Sequence, residues 1–283
     1  MLTASFVIYK TPISQIKTII TSISEANCID KLYIIDNCPS DENAHFFNES
    51  KINEIIEYIP HENTGYGSSH NIALHSAIET GSDYHVILNP DIYFGKKVLS
   101  ELVSFMELNH DVGYILPKVI YPNGELQYLC KLLPTPFDLI FRRFLPKTKL
   151  IMRNNNRYEL RQSGYDKIIN PPCLSGCFMF MRTSTLKENN LFFDDGYFMY
   201  CEDFDLIRRI HRVAKTIYYP KVTIVHNHAK ESYKNKKMLL IHIKSAIRYF
   251  NKFGWFFDSE RKMMNRIILN EIKELDSEDK NEE

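Results

Sequence analysis

Residues 86–91 have the sequence VILNPD, in which a short apolar run changes abruptly to polar residues. An apolar run of this length beside turn residues is typical of a buried strand. Asn89 and Asp91 then lie at the carboxyl end of that strand, which is where α/β sheets bind their ligands. The pattern therefore predicts a sheet and a site at its edge.

Outward from this strand, β-branched runs alternate with helical patterns through the first half of the chain. Such alternation predicts an α/β fold in which a parallel sheet is wound with helices. The expected strands are Ala4–Tyr9, Leu32–Asp36, Ile55–Ile59 and His85–Leu88, and the expected helices are Pro12–Ala26 and Ser68–Thr80. Residues 117–172, which are rich in proline and basic residues, are expected to form a variable connection. Regular pattern resumes at Leu174–Arg182, followed by a helix at Glu202–Val213, a strand at Thr216–Val225 and two C-terminal helices.

The chain has 283 residues, 44% of them hydrophobic, and its 35 Lys and Arg balance its 35 Asp and Glu. This composition predicts one main globular domain with a C-terminal extension, and it argues against a nucleic-acid partner. Six cysteines without a pairing pattern, and a strand-like start in place of a signal peptide, predict reduced thiols and no secretion. No run approaches the roughly 18 apolar residues of a membrane span, so any membrane contact is expected to be peripheral.

Polar residues also follow the first two expected strands. Tyr9 ends the first strand, and Asp36 with Asn37 ends the second. The Asp36 carboxylate can accept the imide N–H of uracil or thymine, a donor that cytosine lacks at that ring position. The alternative, which is favoured for Asp36 taken alone, is an Asx turn or a helix cap.

A glycine-containing loop, NTGYG at residues 63–67, follows the third expected strand, and Asn71 comes one helical turn later. Glycines such as Gly65 and Gly67 allow the backbone to approach a phosphate or a ribose at a helix start. The loop lacks the third glycine of the G-x-G-x-x-G fingerprint and comes too late in the chain for it. A nicotinamide-dependent dehydrogenase is therefore disfavoured.

Asn89 and Asp91 place an amide oxygen and a carboxylate two residues apart on an extended chain. Together they can share one hard divalent cation, which would neutralise a nucleotide diphosphate. The alternative is an ordinary turn, since Asn-Pro and Pro-Asp are common turn dipeptides. His226 and His228 follow the last expected strand and are candidates for binding a metal or a phosphate, although no third ligand marks a zinc site.

Three carboxylates, Glu202, Asp203 and Asp205, lie within four residues at the start of an expected helix. The helix dipole stabilises one such charge by about 0.3–1 kcal/mol, so capping explains one carboxylate well and three poorly. Mutual repulsion raises the proton affinity of at least one of them, as a general base requires. General base and simple cap are equal alternatives on this evidence.

Taken in order, these motifs resemble those of inverting family 2 glycosyltransferases with the GT-A fold, across residues 4–260. The sequences at Ser5–Tyr9, Ile34–Asn37, Asn63–Asn71 and Leu88–Asp91 are similar to the family's first strand, base-binding VDN element, N-x-G-x-G loop and DxD metal motif. Ser175–Met179, Phe198–Arg209 and Val225–His226 are similar to its SG-x-x-M strand, ED-x-DL motif and terminal histidine. The branch that contains rhamnosyltransferases and galactofuranosyltransferases is the most similar.

The resemblance implies a GT-A catalytic domain over residues 1–230, with a Rossmann-like nucleotide-sugar half (1–116) and an acceptor half (117–230) on a mixed sheet. A C-terminal helical extension (231–275) and an acidic tail (276–283) would follow. The implied activity is transfer of rhamnose or a related hexose from a UDP- or dTDP-sugar to a glycan or lipid-linked saccharide, in cell-surface polysaccharide synthesis. The implied location is cytoplasmic, with the inner face of the cell membrane as one option.

The resemblance also implies roles for individual residues. Asp203 would be the general base and Glu202 would position the acceptor, while Asp91 and His226 would hold Mg²⁺ or Mn²⁺ on the diphosphate. The residues that would contact the nucleotide sugar are Tyr9, Asp36, Asn37, Asn63, Gly65, Gly67, Asn71 and Asn89. Asn89 departs from the first aspartate of DxD, and Lys10 and Ala214-Lys215 depart from the family's usual Asn and glycine turn.

Two other functions stay open on the sequence: a non-catalytic nucleotide-sugar-binding or scaffold protein, and a sugar-nucleotide pyrophosphorylase. The second requires a glycine- and arginine-rich loop after the first strand, and Lys10-Thr11-Pro12-Ile13 is not such a loop. The C-terminal stretch Lys234–Phe257 mixes basic and apolar residues. It fits either a helix packed on the catalytic domain or peripheral attachment to anionic lipid, in equal measure.

Overall fold

The computed structural model describes residues 1–49, 53–140, 148–227 and 236–282. Its strands are β1 (Leu2–Ile8), β2 (Lys31–Asp36), β3 (Ile56–Pro60), β4 (Tyr84–Leu88), β5 (Ile92–Phe94), β6 (Val112–Ile120), β7 (Phe178–Arg182) and β8 (Lys215–His226). Its α-helices are α1 (Ile13–Ala26), α2 (Asp41–Asn48), α3 (Tyr66–Glu79), α4 (Val98–Leu108), α5 (Pro136–Leu139), α6 (Lys149–Tyr158), α7 (Thr183–Glu188), α8 (Glu202–His211), α9 (Lys236–Phe253) and α10 (Ser259–Glu282). His228, the expected domain boundary at residue 230 and Lys234 lie outside the described residues.

The strands form one sheet in the order β3-β2-β1-β4-β7-β6-β8-β5. β3, β2, β1 and β4 run parallel, and they are the four strands predicted for the first half of the chain. In this register Ile8 pairs with Asp36, and Asp36 with Pro60. The polar residues that follow these strands therefore lie along one edge of the sheet.

The second half of the sheet is mixed. β7 runs antiparallel to both β4 and β6, β8 runs parallel to β6, and β5 runs antiparallel to β8. Because β7 is antiparallel to β4, its first residue, Phe178, pairs with Leu88 at the end of β4. The residues just before β7 are thereby brought next to Asn89.

Residues 117–172 differ from the variable connection that was expected. β6 continues through Pro117 to Ile120, so the expected boundary between residues 116 and 117 falls inside a strand. The pairing of β6 with β8 shifts register between Pro117 and Lys118, and such an irregularity accommodates the missing proline N–H. Further on, Cys130, Leu132 and Tyr158 are buried in the main core, so much of this segment is structural.

Helix α1 shows how the hydrophobic pattern produces local structure. Ile16, Ile19, Ile20 and Ile23 recur at helical spacing, and all four are buried against the sheet. The helix ends at Asn27, which has a left-handed conformation with φ of 47° and donates its N–H back to the Ile23 carbonyl. Asparagine tolerates this conformation better than most residues, so the sequence itself marks this end.

The C-terminal helices pack on the catalytic part of the chain. Tyr249 and Phe250 of α9 are fully buried, as is Ile268 of α10. α10 continues to Glu282, so the tail expected at 276–283 is helical almost to its end; no Gly or Pro interrupts residues 259–283. Across the described residues, no helix combines the length and the apolar character that a membrane span requires.

A buried ion pair joins α8 to the segment before α10. Arg208, with 1% of its side chain exposed, makes two 2.8 Å hydrogen bonds to the Asp258 carboxylate, which is 2% exposed. Its guanidinium also contacts Glu260 at 2.6 Å and lies over the ring of Phe253. Because the geometry is bidentate and the charges are removed from water, this pair ties the extension to the site helix.

Two buried histidines form a polar network inside the parallel half of the sheet. His85 on β4 lies 2.8 Å from the Thr3 hydroxyl and 2.9 Å from the Ser5 hydroxyl, which in turn lies 2.9 Å from His70 on α3. Burial lowers the pKa of His85 to about 3 and lowers the pKa of His70 well below its usual value. Both rings are therefore neutral in the folded protein at neutral pH.

This network predicts a loss of stability in mild acid. Below about pH 6.5 an unfolded histidine takes up a proton, whereas folded His85 stays neutral down to about pH 3. Its contribution is thus complete above pH 6.5 and decreases by about 1.4 kcal/mol per pH unit as the pH falls. In His85→Gln the unfolding free energy, measured by denaturant titration at several pH values, should depend less steeply on pH. The slope should decrease by about 1.4 kcal/mol per pH unit, which corresponds to one proton fewer taken up on unfolding. Equal slopes for the two proteins would contradict this assignment.

Candidate active site

The central part of the site lies where β4 ends beside the start of β7. The Asn89 N–H donates to the Cys177 carbonyl at 2.8 Å, which fixes the VILNPD turn against residues 175–177. Gly176 is required here because a Cβ at this position would lie 2.8 Å from the Cβ of Asp203. The SG-x-x-M and ED-x-DL motifs, 27 residues apart in sequence, therefore meet through a glycine.

Asp203 is held at the start of α8 by backbone N–H groups. Its Oδ2 accepts a hydrogen bond from the Gly176 N–H at 2.9 Å, and its Oδ1 accepts one from the Phe204 N–H at 2.9 Å. Tyr200 and Cys201, just before the helix, both have left-handed φ values of 69° and 66°. Such backbone conformations are costly for residues with a side chain, and they concentrate at functional sites.

The two carboxylates of the pair have raised proton affinities. Burial, and then the neighbouring Asp203 charge, raise the pKa of Glu202 well above its usual value. Burial also raises the pKa of Asp203, although the Gly176 N–H lowers it in part. Oε2 of Glu202 is buried and has no hydrogen-bond partner among the described residues. Glu202 and Asp203 thus have the electrostatics expected of a general base and a neighbouring proton-bearing group.

Asp205 belongs to a different set of contacts. Its carboxylate, which is fully buried, lies 2.6 Å from Arg209 on the same helix and 2.6 Å from Lys252 on α9. The pairing with Arg209 agrees with the i, i+4 spacing in the sequence. The helix has no side-chain N-cap, so capping does not account for these carboxylates.

Asp91 lies beside His226 at the same edge. Nε2 of His226 is 3.2 Å from the Asp91 carboxylate, and Nδ1 of His226 is 3.0 Å from the Gln127 amide oxygen. β5 pairs with β8 here, with Ile92 opposite His226, which is why residues 135 positions apart meet. Asp91 is partly exposed and His226 is buried, so the pair has a carboxylate that a ligand can reach.

A metal at this point would need ligands from outside the protein. The described residues contain no group of three or more His, Cys, Asp or Glu arranged to hold an ion. A hard cation such as Mg²⁺ commonly has one or two protein ligands and several phosphate or water ligands, so Asp91 with His226 fits a site completed by a diphosphate. Burial lowers the pKa of His226, but the side chains of Cys177 and Asp91 outweigh it and raise the pKa to about 10. His226 would have to release its proton to ligate a metal.

Asp36, the expected base-binding residue, is fully buried at the end of β2. Its Oδ2 accepts hydrogen bonds from Tyr58 at 2.7 Å and Asn43 at 2.8 Å, and its Oδ1 accepts one from the Cys38 N–H at 2.8 Å. The bond to Cys38 is the Asx turn that the sequence offered as the alternative. Contact between Asp36 and a base stays a prediction, and it would have to share or displace these partners.

The remaining residues expected on the nucleotide side lie around the same edge. Tyr9 is half exposed after β1. The side chain of Asn37 donates to the Ser69 hydroxyl at 2.8 Å and to the Asn63 amide oxygen at 3.4 Å. Asn63 itself is exposed. Tyr9 and Asn63 are therefore open to a ligand, and Asn37 supports the loop behind them.

The structure explains the glycines at positions 65 and 67 by close packing within the protein, whereas the expected reason was close approach of a ligand. A Cβ at Gly65, whose φ is 108°, would lie 2.3 Å from the Phe198 carbonyl oxygen, and a Cβ at Gly67 would lie 2.8 Å from the Phe193 side chain. These glycines make room for the neighbouring segment at residues 192–198. Asn71 has the same partner, because its amide exchanges hydrogen bonds with the backbone of Phe193 at 2.9 and 3.0 Å. Direct ligand contact by these three residues stays a prediction.

Three further residues belong to the site without having been predicted from the sequence. The Tyr66 hydroxyl lies within 3.0 Å of both the Asn89 side chain and the Gly176 carbonyl, and the aromatic residue of NTGYG was the signal available for it. Gln127 orients His226, and the positive charge of Lys131 lowers the pKa of Asp203. Gln127 and Lys131 lie in the segment expected to be a variable connection, where no sequence pattern marked them.

A curated relative supports the same interpretation of the motifs. The chain is 29% identical over 207 residues to "Rhamnosyltransferase WbbL" of Escherichia coli (strain K12), and the match covers 69% of this chain and 73% of that protein. The family model "Glycosyl transferase family 2" matches residues 7–188. This match begins at the end of β1 and includes β2, β3, β4, the VILNPD turn and β7, but it ends before Glu202 and Asp203.

Solved structures confirm the GT-A fold. The S. aureus TarS 1-349 structure in complex with UDP-GlcNAc is 14% identical with a TM-score of 0.62, covering 95% of this chain and 71% of that one. The mannosyltransferase PcManGT from Pyrobaculum calidifontis, solved with GDP-Man and Mn²⁺, is 16% identical with a TM-score of 0.57, covering 87% of this chain and 64% of that one. Together with the family match over more than half of its length, these findings identify the chain as a member of glycosyl transferase family 2.

Proposed function

We propose that this glycosyltransferase moves a sugar from a UDP- or dTDP-sugar to the hydroxyl of a saccharide acceptor, with inversion at the anomeric carbon. The observation that carries the proposal is the contact chain from Asp203 to Asn89. Asp203 accepts from the Gly176 N–H at 2.9 Å, and the adjacent Cys177 carbonyl accepts from the Asn89 N–H at 2.8 Å. A base and a donor-side residue are held against one short segment, as a single displacement needs.

In this displacement a bond forms between the acceptor oxygen and the anomeric carbon. The bond from that carbon to the diphosphate oxygen breaks, and the nucleoside diphosphate leaves with the electron pair. Asp203 takes the proton of the acceptor hydroxyl, and its raised pKa brings it closer to the working pH at which a base is most effective. Glu202, buried beside it with a raised pKa, can stay protonated and donate a hydrogen bond that positions the acceptor.

Asp91 and His226, together with the amide oxygen of Asn89, would hold Mg²⁺ or Mn²⁺. When bound, such a cation stabilises the negative charge that develops on the leaving diphosphate. Two solved glycosyltransferase structures of this fold contain Mn²⁺, which supports the assignment for this chain.

Removal of the Asp91 carboxylate should abolish metal-dependent donor binding. In Asp91→Ala only His226 and Asn89 remain as ligands, and neither carries a negative charge to hold a hard cation. The measurement is calorimetric titration of UDP with and without Mn²⁺, in wild type and variant. Asp83→Ala, which removes an exposed carboxylate at the opposite end of β4, is the matched control. An unchanged Mn²⁺ effect in Asp91→Ala would move the metal elsewhere.

Asp36 leads to a prediction about the nucleotide base. A carboxylate accepts the imide N–H of uracil or thymine, and cytosine has no hydrogen at that ring position. Uridine and thymidine diphosphates should therefore bind, and cytidine diphosphate should not, in a competition titration. Asp36→Asn should narrow this difference, because an amide can donate to cytosine. Equal affinity of the wild type for the cytidine compound would exclude base recognition by Asp36.

The similarity to a rhamnosyltransferase supports rhamnose or a related hexose as the sugar. On the same basis we propose a glycan or lipid-linked acceptor, a role in cell-surface polysaccharide synthesis, and a cytoplasmic location at the inner face of the membrane. A catalytic domain over residues 1–230 and an extension over 231–275 also stay a proposal, whereas the boundary between residues 116 and 117 is not kept because it falls inside β6.

A panel of UDP-, dTDP- and GDP-sugars, screened for thermal stabilisation with and without Mn²⁺, tests the donor class. A ligand at about 100 times its dissociation constant adds about 2.7 kcal/mol to the unfolding free energy. Slow hydrolysis of the stabilising donor would distinguish an enzyme from a non-catalytic nucleotide-sugar-binding protein. Stabilisation by none of the uridine or thymidine compounds would contradict the proposed donor.

A further inference from the structure

A basic cavity of about 550 Å³ lies between α6, α10 and the turn that joins α9 to α10. Five cationic side chains line it, namely Arg157, Arg261, Lys262, Arg266 and Lys273, and a neighbouring cavity of about 450 Å³ adds Arg153. No carboxylate is among the described residues that line either cavity. None of the proposed catalytic or nucleotide-binding residues lines them.

Among the described residues, Arg261 has a counter-charge in Asp258 at 3.9 Å, and the other five cations lack one. None of the five pairs with a described carboxylate, whereas most other Arg side chains of the C-terminal half do, as Arg208, Arg209, Arg212 and Arg248 illustrate. Like charges brought together on two helices repel one another, and an anion in the cavity would relieve the repulsion. The cavity is therefore suited to a phosphate-bearing ligand.

Aromatic residues at the same place indicate where that phosphate comes from. Trp255 and Phe256 line the cavity, and the side chains of Phe256 and Phe257 are 72% and 93% exposed. Two adjacent phenylalanines left in water are unfavourable unless an apolar phase covers them. Aromatic side chains beside basic ones are the combination that anchors proteins at a lipid surface.

We propose that this cavity binds the phosphate of an anionic lipid headgroup while Phe256 and Phe257 enter the acyl boundary of the membrane. The proposal deepens the membrane location suggested above and rests on that part of the proposed function. It also places the contact on α6, α10 and the turn, rather than on α9 alone. Tyr249 and Phe250 of α9 are buried in the protein and are unavailable to a membrane.

The test is co-sedimentation of the full chain with phosphatidylcholine vesicles, with and without phosphatidylglycerol. Replacing Arg157, Arg266 and Lys273 by Gln should weaken binding to the anionic vesicles about a hundredfold, at roughly 1 kcal/mol for each basic residue. The triple variant Lys97→Gln, Lys187→Gln, Lys221→Gln removes the same charge from exposed positions elsewhere and should bind as the wild type does. UDP titration of each variant should be unchanged, which separates this test from that of the donor site.

Further arms distinguish a lipid headgroup from a soluble phosphate. Phe256→Ser with Phe257→Ser should reduce vesicle binding at least tenfold, and inorganic phosphate should compete only weakly. If the serine variant binds vesicles normally, or if inorganic phosphate displaces them fully, the lipid assignment is wrong. Absence of wild-type binding to anionic vesicles, or equal loss in the control triple variant, would also overturn it.

A second, independent observation concerns Tyr66, whose partly buried hydroxyl lies within hydrogen-bond distance of two oxygen atoms. It is 3.0 Å from Oδ1 of Asn89 and 2.9 Å from the Gly176 carbonyl oxygen. A tyrosine hydroxyl has one hydrogen, so it cannot donate to both. Rotation of the Asn89 amide by 180° exchanges its oxygen and nitrogen at the same positions and lets the NH₂ group donate to Tyr66.

We infer that Tyr66 is a positioning residue that accepts from the Asn89 amide and donates to Gly176. The Asn89 oxygen then faces away from Tyr66 and is available to the proposed metal, while the Gly176 peptide is held against Asp203. This explains why residue 89 is asparagine where the resembled family has aspartate, since a carboxylate cannot donate. It also limits the charge, because Glu202, Asp203 and Asp91 are already close enough for their charges, after burial, to raise the pKa of Tyr66.

A double-mutant cycle in metal-free buffer tests this inference. Asn89→Asp should increase the unfolding equilibrium constant about tenfold, because Tyr66 then donates to the new carboxylate and leaves the Gly176 carbonyl without a donor. In the Tyr66→Phe background Gly176 has already lost that donor, so only charge repulsion remains and the effect should be clearly smaller. Equal effects in both backgrounds, or no destabilisation by Asn89→Asp, would refute the inference.

Mn²⁺ binding gives a second readout that a purely structural role would not change. With UDP present, Tyr66→Phe should weaken Mn²⁺ affinity several-fold in electron paramagnetic resonance titrations, because the Asn89 oxygen is no longer oriented. UDP affinity without Mn²⁺ should be retained. Unchanged Mn²⁺ affinity would refute the orientation of Asn89, whereas failure of the wild type to bind UDP would count against the proposed function instead.

Discussion

Asp203→Asn should reduce sugar transfer by about 10²- to 10⁴-fold, the usual effect of losing a general base. The amide keeps the shape of the carboxylate, and its oxygen can still accept the 2.9 Å hydrogen bond from the Gly176 N–H, so the local fold should persist. The hydrogen bond from the Phe204 N–H is lost, because the amide has only one oxygen, and the melting temperature should fall slightly. The amide cannot take up the acceptor proton. Donor affinity should barely change, because the base faces the acceptor. The measurements are turnover, donor titration and melting temperature of the same preparation.

Asp205→Asn is the matched control, two residues further along α8. Its carboxylate pairs with Arg209 and Lys252, so neutralising it should lower the melting temperature and change turnover only modestly. Asp203→Asn should therefore lose activity and keep most of its stability, whereas Asp205→Asn should lose stability and keep most of its activity. Near-normal transfer by Asp203→Asn would mean that Glu202 or another carboxylate removes the proton.

Arg208→Met should have the largest effect on stability, a loss of about 3–5 kcal/mol from the unfolding free energy. Methionine fills similar space, but it leaves Asp258, which is 2% exposed, without its bidentate partner. The nearest remaining cation is Arg261, at 3.9 Å. The free-energy cost of removing the Asp258 carboxylate from water is then no longer offset by a close bidentate cation. Denaturant unfolding with the linear-extrapolation analysis measures this difference.

Arg212→Met provides the comparison for that experiment. Arg212 contacts the same Glu260 but is 42% exposed, so solvent screens the pair and its loss should cost less than about 1 kcal/mol. Equal destabilisation by the two substitutions would show that burial of the Arg208 pair does not increase its contribution to the unfolding free energy. In that case the extension would be held mainly by apolar packing, which includes that of Tyr249, Phe250 and Ile268.

Much of the candidate site could be predicted because each motif lies next to the strand or helix that carries it. The six consecutive residues VILNPD predict a strand and the polar turn that follows it. The spacing of apolar residues within 13–26 predicts helix α1 in the same way, from neighbouring residues only. Hydrophobic periodicity and turn chemistry operate within a few residues, so they are readable without a structure. The parallel strands, the start of α8 and the Asp205–Arg209 pair are of this kind.

The sequence could not determine which distant segments meet. Antiparallel pairing of Leu88 with Phe178 brings Gly176 to Asp203, and the same packing gives Gly65 and Gly67 their partners at residues 192–198. Pro117 shows the same limit. A proline indicates the end of a strand when only the sequence is known, and the register shift that accommodates Pro117 inside β6 depends on the pairing with β8.

By itself, therefore, the sequence determined the four parallel strands, β7, β8, the helices α1, α3, α8, α9 and α10, and the order of the motifs. It did not determine β5, β6 or the helices α2 and α4 to α7. Only the tertiary structure decided that Tyr66 lies between Asn89 and Gly176, and that Arg208 pairs with Asp258 across 50 residues. The physical reason is that local periodicity specifies which face of an element is buried. It does not specify the distant side chain that covers that face, because that choice depends on the packing of the whole chain.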